Sequence, residues 1–214
     1  MVVKIICCLL AGYLCGNINV AWLVGKYKNI DFRKVGSGNL GTTNVMRTLG
    51  KKYGLITYFG DFLKVIIPMI LVQYVIFGDE DYNKLLGLYT GFGCVIGHCY
   101  PFWLHFKGGK GIAAMSAVMA CFDPLVIPIG VVIFFAIVFK TKYVSLGSLA
   151  IGILFPLWVV LRCGILDTNP YFVHMLIVTL CYTVTVFIMH RANIQRLMNG
   201  TENKIGHKKE EEVK

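Results

Sequence analysis

The sequence predicts an all-α integral membrane protein: a seven-helix transmembrane bundle with its N-terminus outside and its C-terminus cytoplasmic. Three observations carry that expectation. Of the 214 residues, 57% are hydrophobic and 15% charged, with a mean hydropathy of +0.68, whereas about a quarter of a soluble domain is charged. The apolar residues fall in runs near the ~20 residues that a helix needs to cross a bilayer. The basic residues, which set a formal net charge of +10, occupy the short gaps between those runs, mostly on one side.

Taken in order, helix 1 is expected over residues 2–24, too long and uninterrupted for the core of a cleaved signal and therefore retained. Asn17 and Asn19 lie inside it, and amides at membrane depth face a bundle interior or a cavity. A basic segment at 26–34, a polar glycine-bearing run at 35–47, and Lys51 and Lys52 follow. Helix 2 is expected over 53–77, with Asp61 and Lys64 three residues apart near its start; the pair reads equally as structural or functional. Asp79, Glu80 and Asp81 precede helix 3, expected over 85–103. Residues 112–122 span only ~16 Å as a helix, about half a hydrocarbon core. Asp123-Pro124 breaks that run before 125–139 continues it, so 112–139 is read as a short or re-entrant helix pair. Helices 6 and 7 are expected over 146–161 and 171–189. Residues 1–205 make one transmembrane domain, with no room for a separate soluble one, and 206–214 a charged cytoplasmic tail.

With the N-terminus outside and every segment crossing, Lys26, Lys28, Arg33, Lys34, Arg47, Lys51, Lys52, Lys107, Lys110, Lys140 and Lys142 fall inside, joined by the basic tail. The outside loops keep only Lys84 and Arg162, beside Asp79, Glu80, Asp81, Asp123 and Asp167. This is the asymmetry of the positive-inside rule, and it makes nucleic-acid binding a poor account of the charge. If 112–139 is re-entrant, the polar loops still share one face. The eight cysteines lie almost entirely in apolar runs with no C-x-x-C spacing and read as small hydrophobes.

Four polar clusters then belong to the cytoplasmic face. The first is the run VGSGNLGTTNVMR at 35–47. Gly36, Gly38 and Gly41 permit unusual backbone angles. Ser37, Asn39, Thr42, Thr43 and Asn44 offer short hydrogen-bonding groups, and Arg47 a fork suited to phosphate. The second joins GHCYP at 97–101 to FKGGKG at 106–111. Lys107 and Lys110 straddle Gly108 and Gly109 just before Gly111 and a helix start, which suits an anion. The third is KTKYVSLGS at 140–148, where Ser145 is placed to cap a helix. The fourth is HRANIQRL at 190–197 with GTENK at 200–204, in which His190 and Asn193 face one way at i, i+3.

The chemistry narrows by what the clusters lack. Gly111 stands where a P-loop needs Ser or Thr, so nucleotide binding is rejected. The residues around Ser37 do not form G-x-S-x-G. No H-E-x-x-H or paired Cys/His spacing suggests a metal, no cofactor is implied, and no histidine is followed five residues on by an aspartate. What remains is an excess of N–H, hydroxyl, amide and cationic donors. Such a site grips phosphates and positions reactants.

Together, GSGNLGTTNVMRTLG, GHCYPFWLHFKGGKG, KYVSLGS and HRANIQRLMNGTENKI, with GDFLK at 60–64, resemble the bacterial acyl-phosphate-dependent glycerol-3-phosphate acyltransferases (PlsY type) over residues ~10–205, in family order and spacing. The resemblance implies acyl transfer from acyl phosphate to the first hydroxyl of glycerol 3-phosphate, giving lysophosphatidic acid and phosphate, with no metal and no covalent protein intermediate. It implies a seven-helix bundle in the bacterial inner membrane, surrounded by membrane lipids, with no obligate protein partner. Phosphate contacts carry onto Ser37, Asn39, Thr43, Arg47, Lys107, Ser145, His190 and Asn193, and backbone donors onto Gly36, Gly38, Gly41, Gly108, Gly109, Lys110 and Gly111. Departures from the family pattern are Thr42 for alanine, Val65 for glycine, Tyr100 for phenylalanine and Ala114 for threonine. Ser37, Asn39, the 107–110 loop and Ser145 are assigned to the donor phosphate, and Arg47, His190 and Asn193 to glycerol 3-phosphate. Either His190 or a substrate phosphate oxygen can take the hydroxyl proton. The competing reading is a small anion transporter built on discontinuous helices, against which no internal repeat of the glycine motifs is seen.

Overall fold

In a computed structural model that describes residues 1–205, every regular element is helical; the expected tail at 206–214 lies outside the described residues. The helices are α1 (Val2–Gly16), α2 (Val20–Lys28), α3 (Thr42–Leu49), α4 (Lys51–Ile70), α5 (Asn83–Cys99), α6 (Ile112–Phe122), α7 (Val126–Thr141), α8 (Val144–Val159), α9 (Phe172–Met189) and α10 (Arg191–Met198). Four stretches are long and apolar enough to cross a membrane: Val2–Lys28, Lys51–Ile76, Val144–Leu166 and Phe172–Met189. α6 and α7 are shorter apolar helices.

The tightest packing is between α1 and α5, where four glycines let backbone meet backbone. A Cβ at Gly12 would lie 2.0 Å from the Thr90 carbonyl oxygen, and one at Gly16 2.1 Å from that of Cys94. Reciprocally, a Cβ at Gly93 would lie 2.2 Å from the Leu9 carbonyl oxygen, and one at Gly97 2.3 Å from that of Tyr13. Among helices solvated by lipid tails, close dispersion contact of this kind replaces the hydrophobic effect as the force of association.

Helix 1 of the sequence reading is not continuous. It ends at Gly16, and Asn17, Ile18 and Asn19 form a break before α2. The freed backbone groups find partners, as hydrocarbon demands. Asn17 Oδ1 accepts the Phe102 N–H at 2.9 Å, and the Asn17 carbonyl accepts the Trp103 indole N–H at 3.0 Å. Asn19 Oδ1 caps α2 by accepting the Trp22 N–H at 2.8 Å. Trp22 and Trp103 meet edge to face with ring centroids 4.6 Å apart.

Two prolines inside helices are accommodated in the same way. A proline removes the hydrogen bond to the carbonyl four residues earlier. Pro68 frees the Lys64 carbonyl, which takes the Cys94 thiol at 3.9 Å, and Pro156 frees that of Gly152, which accepts the Thr183 hydroxyl at 2.7 Å. Both helices then widen into π-helical turns, Leu71–Ile76 and Val160–Leu166.

The core lies among α5, α6, α8 and α9, around Leu85, Leu88, Met115, Val118, Phe155, Met175 and Tyr182. The Tyr182 hydroxyl is buried there and donates to the Leu88 carbonyl at 2.7 Å. The expected pair at 112–139 is two helices with different jobs. α6 buries Ala114, Met115, Ala117, Val118, Met119 and Phe122, while α7 turns Val131, Val132, Phe135 and Phe139 outward. At the α6–α7 turn, Asp123 Oδ2 accepts from Trp158 Nε1 at 3.1 Å and from Arg162 Nε at 2.8 Å. Helix 3 stops at Cys99 instead of running to Trp103, because Pro101 cannot continue it.

Gly93→Val drives a branched side chain into the α1 backbone, and overpacking of this kind costs about 1–3 kcal/mol. The expected outcome is a lower melting temperature in detergent. Gly130→Ala, whose Cβ would make only ordinary contacts at 3.5 Å and beyond, lowers it not at all; equal behaviour of the two variants would refute the backbone-contact account.

Candidate active site

The first cluster forms a loop braced from inside by Asn44. Its Oδ1 accepts the Ser37 N–H at 2.8 Å, and its Nδ2 donates to the carbonyls of Phe32 at 3.0 Å and Val35 at 3.1 Å. Asn44 is buried, and its amide is committed to the loop, so the structure gives it a scaffolding place where the sequence reading had put it among the ligand-binding groups. Gly36, at φ 61°, has no space for a side chain: a Cβ would lie 2.2 Å from Asn44 Oδ1. The N–H groups of Gly38 and Gly41 turn inward too, to the carbonyls of Val35 and Asn39. Phe32, Leu40, Val45 and Leu104 form the apolar floor. Ser37 and Arg47 are exposed and Asn39 and Thr43 half-buried, and none of their side chains has a hydrogen-bond partner among the described residues.

The second cluster is a loop seated on the end of α5. The Gly108 N–H donates to the Cys99 carbonyl at 3.0 Å and the Gly109 N–H to that of His98 at 3.1 Å. These two donors, expected to face a ligand, instead hold the loop in place. Lys107 is exposed, and Lys110 is half-buried. Gly111 turns the chain at φ 81° into α6, whose first-turn N–H groups have no helical acceptor. The two loops touch: a Cβ at Gly109 would lie 2.6 Å from the Leu40 carbonyl oxygen.

The third and fourth clusters join the second through one carboxylate. Lys110 Nζ donates to Asn193 Oδ1, and Asn193 Nδ2 donates to Glu202 Oε1 at 2.6 Å. The same oxygen accepts the Ser145 hydroxyl at 3.0 Å, while Glu202 Oε2 accepts from Arg196 Nε at 2.8 Å. Ser145 lies inside the first turn of α8 after its N-cap Tyr143, so it does not cap the helix as expected. Glu202 is buried and was given no role from sequence. Its only signal there is an acid set between Arg196 and Lys204 in an otherwise polar, basic segment.

Charge follows from this burial. Desolvation pushes the Lys110 ammonium down to about 8; Arg196 repels it further and Glu202 partly offsets both. His190, just beyond α9, is buried and held down to about 4, chiefly by desolvation. Its Nδ1 lies 2.8 Å from the Val186 carbonyl, which places the proton on Nδ1 and leaves Nε2 as the acceptor nitrogen of a neutral ring. Among the described residues, no group of three or more His, Cys, Asp or Glu side chains converges. Ser37, Arg47 and Lys107 share no hydrogen bond with the Lys110–Asn193–Glu202 chain. They are unpartnered donors on two loops that touch at Gly109 and Leu40, and with the free helix-start N–H groups they suit oxyanions.

Residues 6–200 match the family described as glycerol-3-phosphate acyltransferase. A protein of that name from Clostridioides difficile (strain 630) is 40% identical over 206 residues, covering 92% of this chain and 94% of the relative. One from Acholeplasma laidlawii is 34% identical, covering 96% and 94%. Two crystal structures of PlsY, an integral membrane glycerol 3-phosphate acyltransferase, superpose on the fold. The glycerol 3-phosphate form has a TM-score of 0.82 at 34% identity over 94% of this chain and 96% of that one. The lysophosphatidic acid form has a TM-score of 0.80 at 33% identity over 94% and 95%.

Lys110 is charged below about pH 8 and neutral above it, so an oxyanion held by its ammonium binds more weakly as pH rises through that value. Sulfate, which does not titrate in this range, is the probe. Its stabilisation of the detergent-solubilised protein is expected to shrink between pH 7 and 9, and Lys110→Arg, which stays charged, is expected to abolish that decline. Because the folded-state value lies below the usual 10.5, the unliganded wild type gains stability over that variant as pH rises from 8. A sulfate effect flat with pH in the wild type would take Lys110 out of the anion site.

Proposed function

The chain belongs to the glycerol-3-phosphate acyltransferase family, and from that premise we propose that it transfers a fatty acyl group from acyl phosphate to the first hydroxyl of glycerol 3-phosphate, yielding lysophosphatidic acid and inorganic phosphate. The observation that carries this reading is the Lys110–Asn193–Glu202–Ser145 chain, which supports a common site for clusters dispersed along the sequence. The unpartnered donors of Ser37, Asn39, Thr43, Arg47 and Lys107 complete it for two phosphates. Ser37, Asn39 and the lysines of the 107–110 loop take the donor phosphate, with Ser145 joining them when it leaves Glu202; Arg47 and Asn193 take the phosphate of glycerol 3-phosphate, and His190 Nε2 accepts from its hydroxyl.

Acyl phosphate is already activated, so the chain's task is to align and to stabilise charge. The acceptor hydroxyl oxygen bonds to the acyl carbon, the carbonyl oxygen gathers negative charge, and the bond to the phosphate oxygen then breaks. Phosphate departs into a cradle of cations, and no protein nucleophile intervenes. The hydroxyl proton has two destinations, His190 Nε2 or a phosphate oxygen. Burial holds His190 down to about 4 and so weakens it as a base, which favours a phosphate oxygen as the proton's destination and leaves His190 Nε2 to orient the hydroxyl.

The apolar spans and the basic character of the site loops support a multi-pass protein of the bacterial inner membrane: seven crossing or half-crossing helices over residues 1–205, the N-terminus outside and the site facing the cytoplasm. Membrane lipids are its solvent, and the reaction needs neither a cofactor nor an obligate protein partner.

Purified protein given palmitoyl phosphate and glycerol 3-phosphate is expected to release phosphate and form lysophosphatidic acid; folded protein that does neither sinks the reading. Replacing Arg47 by Ala removes a charge-assisted hydrogen bond of about 1.5–3 kcal/mol, so the KM for glycerol 3-phosphate is expected to rise by about tenfold or more. An unchanged KM removes Arg47 from the acceptor site.

A further inference from the structure

One ionic cluster lies outside the site as described so far. Lys64 in α4 is buried, and its ammonium has three donors. All are used: to the Ile18 carbonyl at 2.5 Å, Asp61 Oδ1 at 2.8 Å and His98 Nδ1 at 2.9 Å. Asp61 and His98 are buried too, with His98 Nδ1 3.4 Å from Asp61 Oδ1. A saturated ammonium cannot accept, so His98 Nδ1 accepts, and the ring carries its proton on Nε2.

The far edge of that ring meets the glycine loop. A Cβ at Gly109 would lie 2.1 Å from His98 Nε2 and 2.6 Å from the Leu40 carbonyl oxygen. Gly109 is therefore wedged between the imidazole and the first-cluster loop, with its N–H bonded to the carbonyl of the same histidine. The cluster ties together α4, the end of α5, the break between α1 and α2, and both candidate phosphate loops. Burying ionisable groups in a membrane core costs several kcal/mol, so the cluster is an expensive way to fill space alone.

We infer that Asp61, Lys64 and His98 are positioning residues that set the seat of the 107–111 loop, and with it the reach of Lys107 and Lys110 to phosphate. None touches substrate; they act through Gly109. The inference rests on the acyltransferase reading for its kinetic consequence, but the loop's affinity for an oxyanion can be measured without turnover.

The experiment uses the full chain in detergent. His98→Asn keeps an acceptor for Lys64 at the Nδ1 position but does not reach Gly109, and Gly109→Ala disturbs the same seat from the loop side. Each is expected to raise the KM for a phosphate-bearing substrate by about tenfold or more, the scale of small misplacements at a site, and to reduce the rise in melting temperature given by inorganic phosphate. Because both act at one contact, the double variant is expected to be little worse than either alone. Asp123→Ala, which removes the acceptor of Trp158 Nε1 and Arg162 Nε at the α6–α7 turn, lowers the melting temperature and leaves the KM values unchanged. Loss of thermal stability in His98→Asn with unchanged KM and phosphate response, or full multiplication of the two effects, overturns the inference. If the wild type turns over no substrate, the acyltransferase reading falls, and the phosphate-induced thermal shift still decides the positioning role.

Discussion

The contact on which the rest depends is that of two bare helix backbones. With Gly12 and Gly16 on α1 set against Gly93 and Gly97 on α5, neither helix can slide or rotate without overlap. That fixes the height of the α5 C-terminus, whose last two carbonyls receive the Gly108 and Gly109 N–H groups. It also fixes where α1 ends, and so where the Ile18 carbonyl stands to receive Lys64. Along the first of these routes, a dispersion contact between main chains reaches the polar face through backbone hydrogen bonds alone.

Much of this fold could be read from the chain because lipid imposes a coarse code. Apolar runs and basic gaps marked the ends of most apolar helices to within a few residues, and Asp123-Pro124 marked the α6–α7 turn. The short polar helices α3 and α10 were read as parts of polar loops because neither carries an apolar run. The break at Asn17–Asn19 stayed hidden because each polar residue is flanked by apolar ones, and its backbone partners, Phe102 and Trp103, lie far along the sequence. The different surroundings of α6 and α7 were also illegible. Both are apolar all round, and only tertiary packing decides which one meets lipid.

The site was legible by composition and misread in part by role. Clustered Gly, Ser, Asn, Lys and Arg announced oxyanion chemistry, and three of the four segments are joined by hydrogen bonds. What sequence cannot report is which donors folding has already claimed. Asn44, Gly38, Gly41, Gly108 and Gly109 all look available on paper, yet their groups close turns and brace loops. Glu202 and His98 lie inside the fourth and second clusters and were assigned no role for the converse reason. An isolated acid in a basic tail and a histidine in an apolar helix gain meaning only when three partners converge on each.

Asn44 has one more consequence. Because it knits Phe32, Val35 and Ser37 together from within, the backbone of this wall is held by bonds internal to the polypeptide. Such a receptor does not have to freeze loose chain at each encounter, so less of the attraction is lost to disorder. The same bracing holds the backbone from which Ser37, Asn39 and Thr43 reach, so side chains that are free to turn search for an oxyanion from a fixed base.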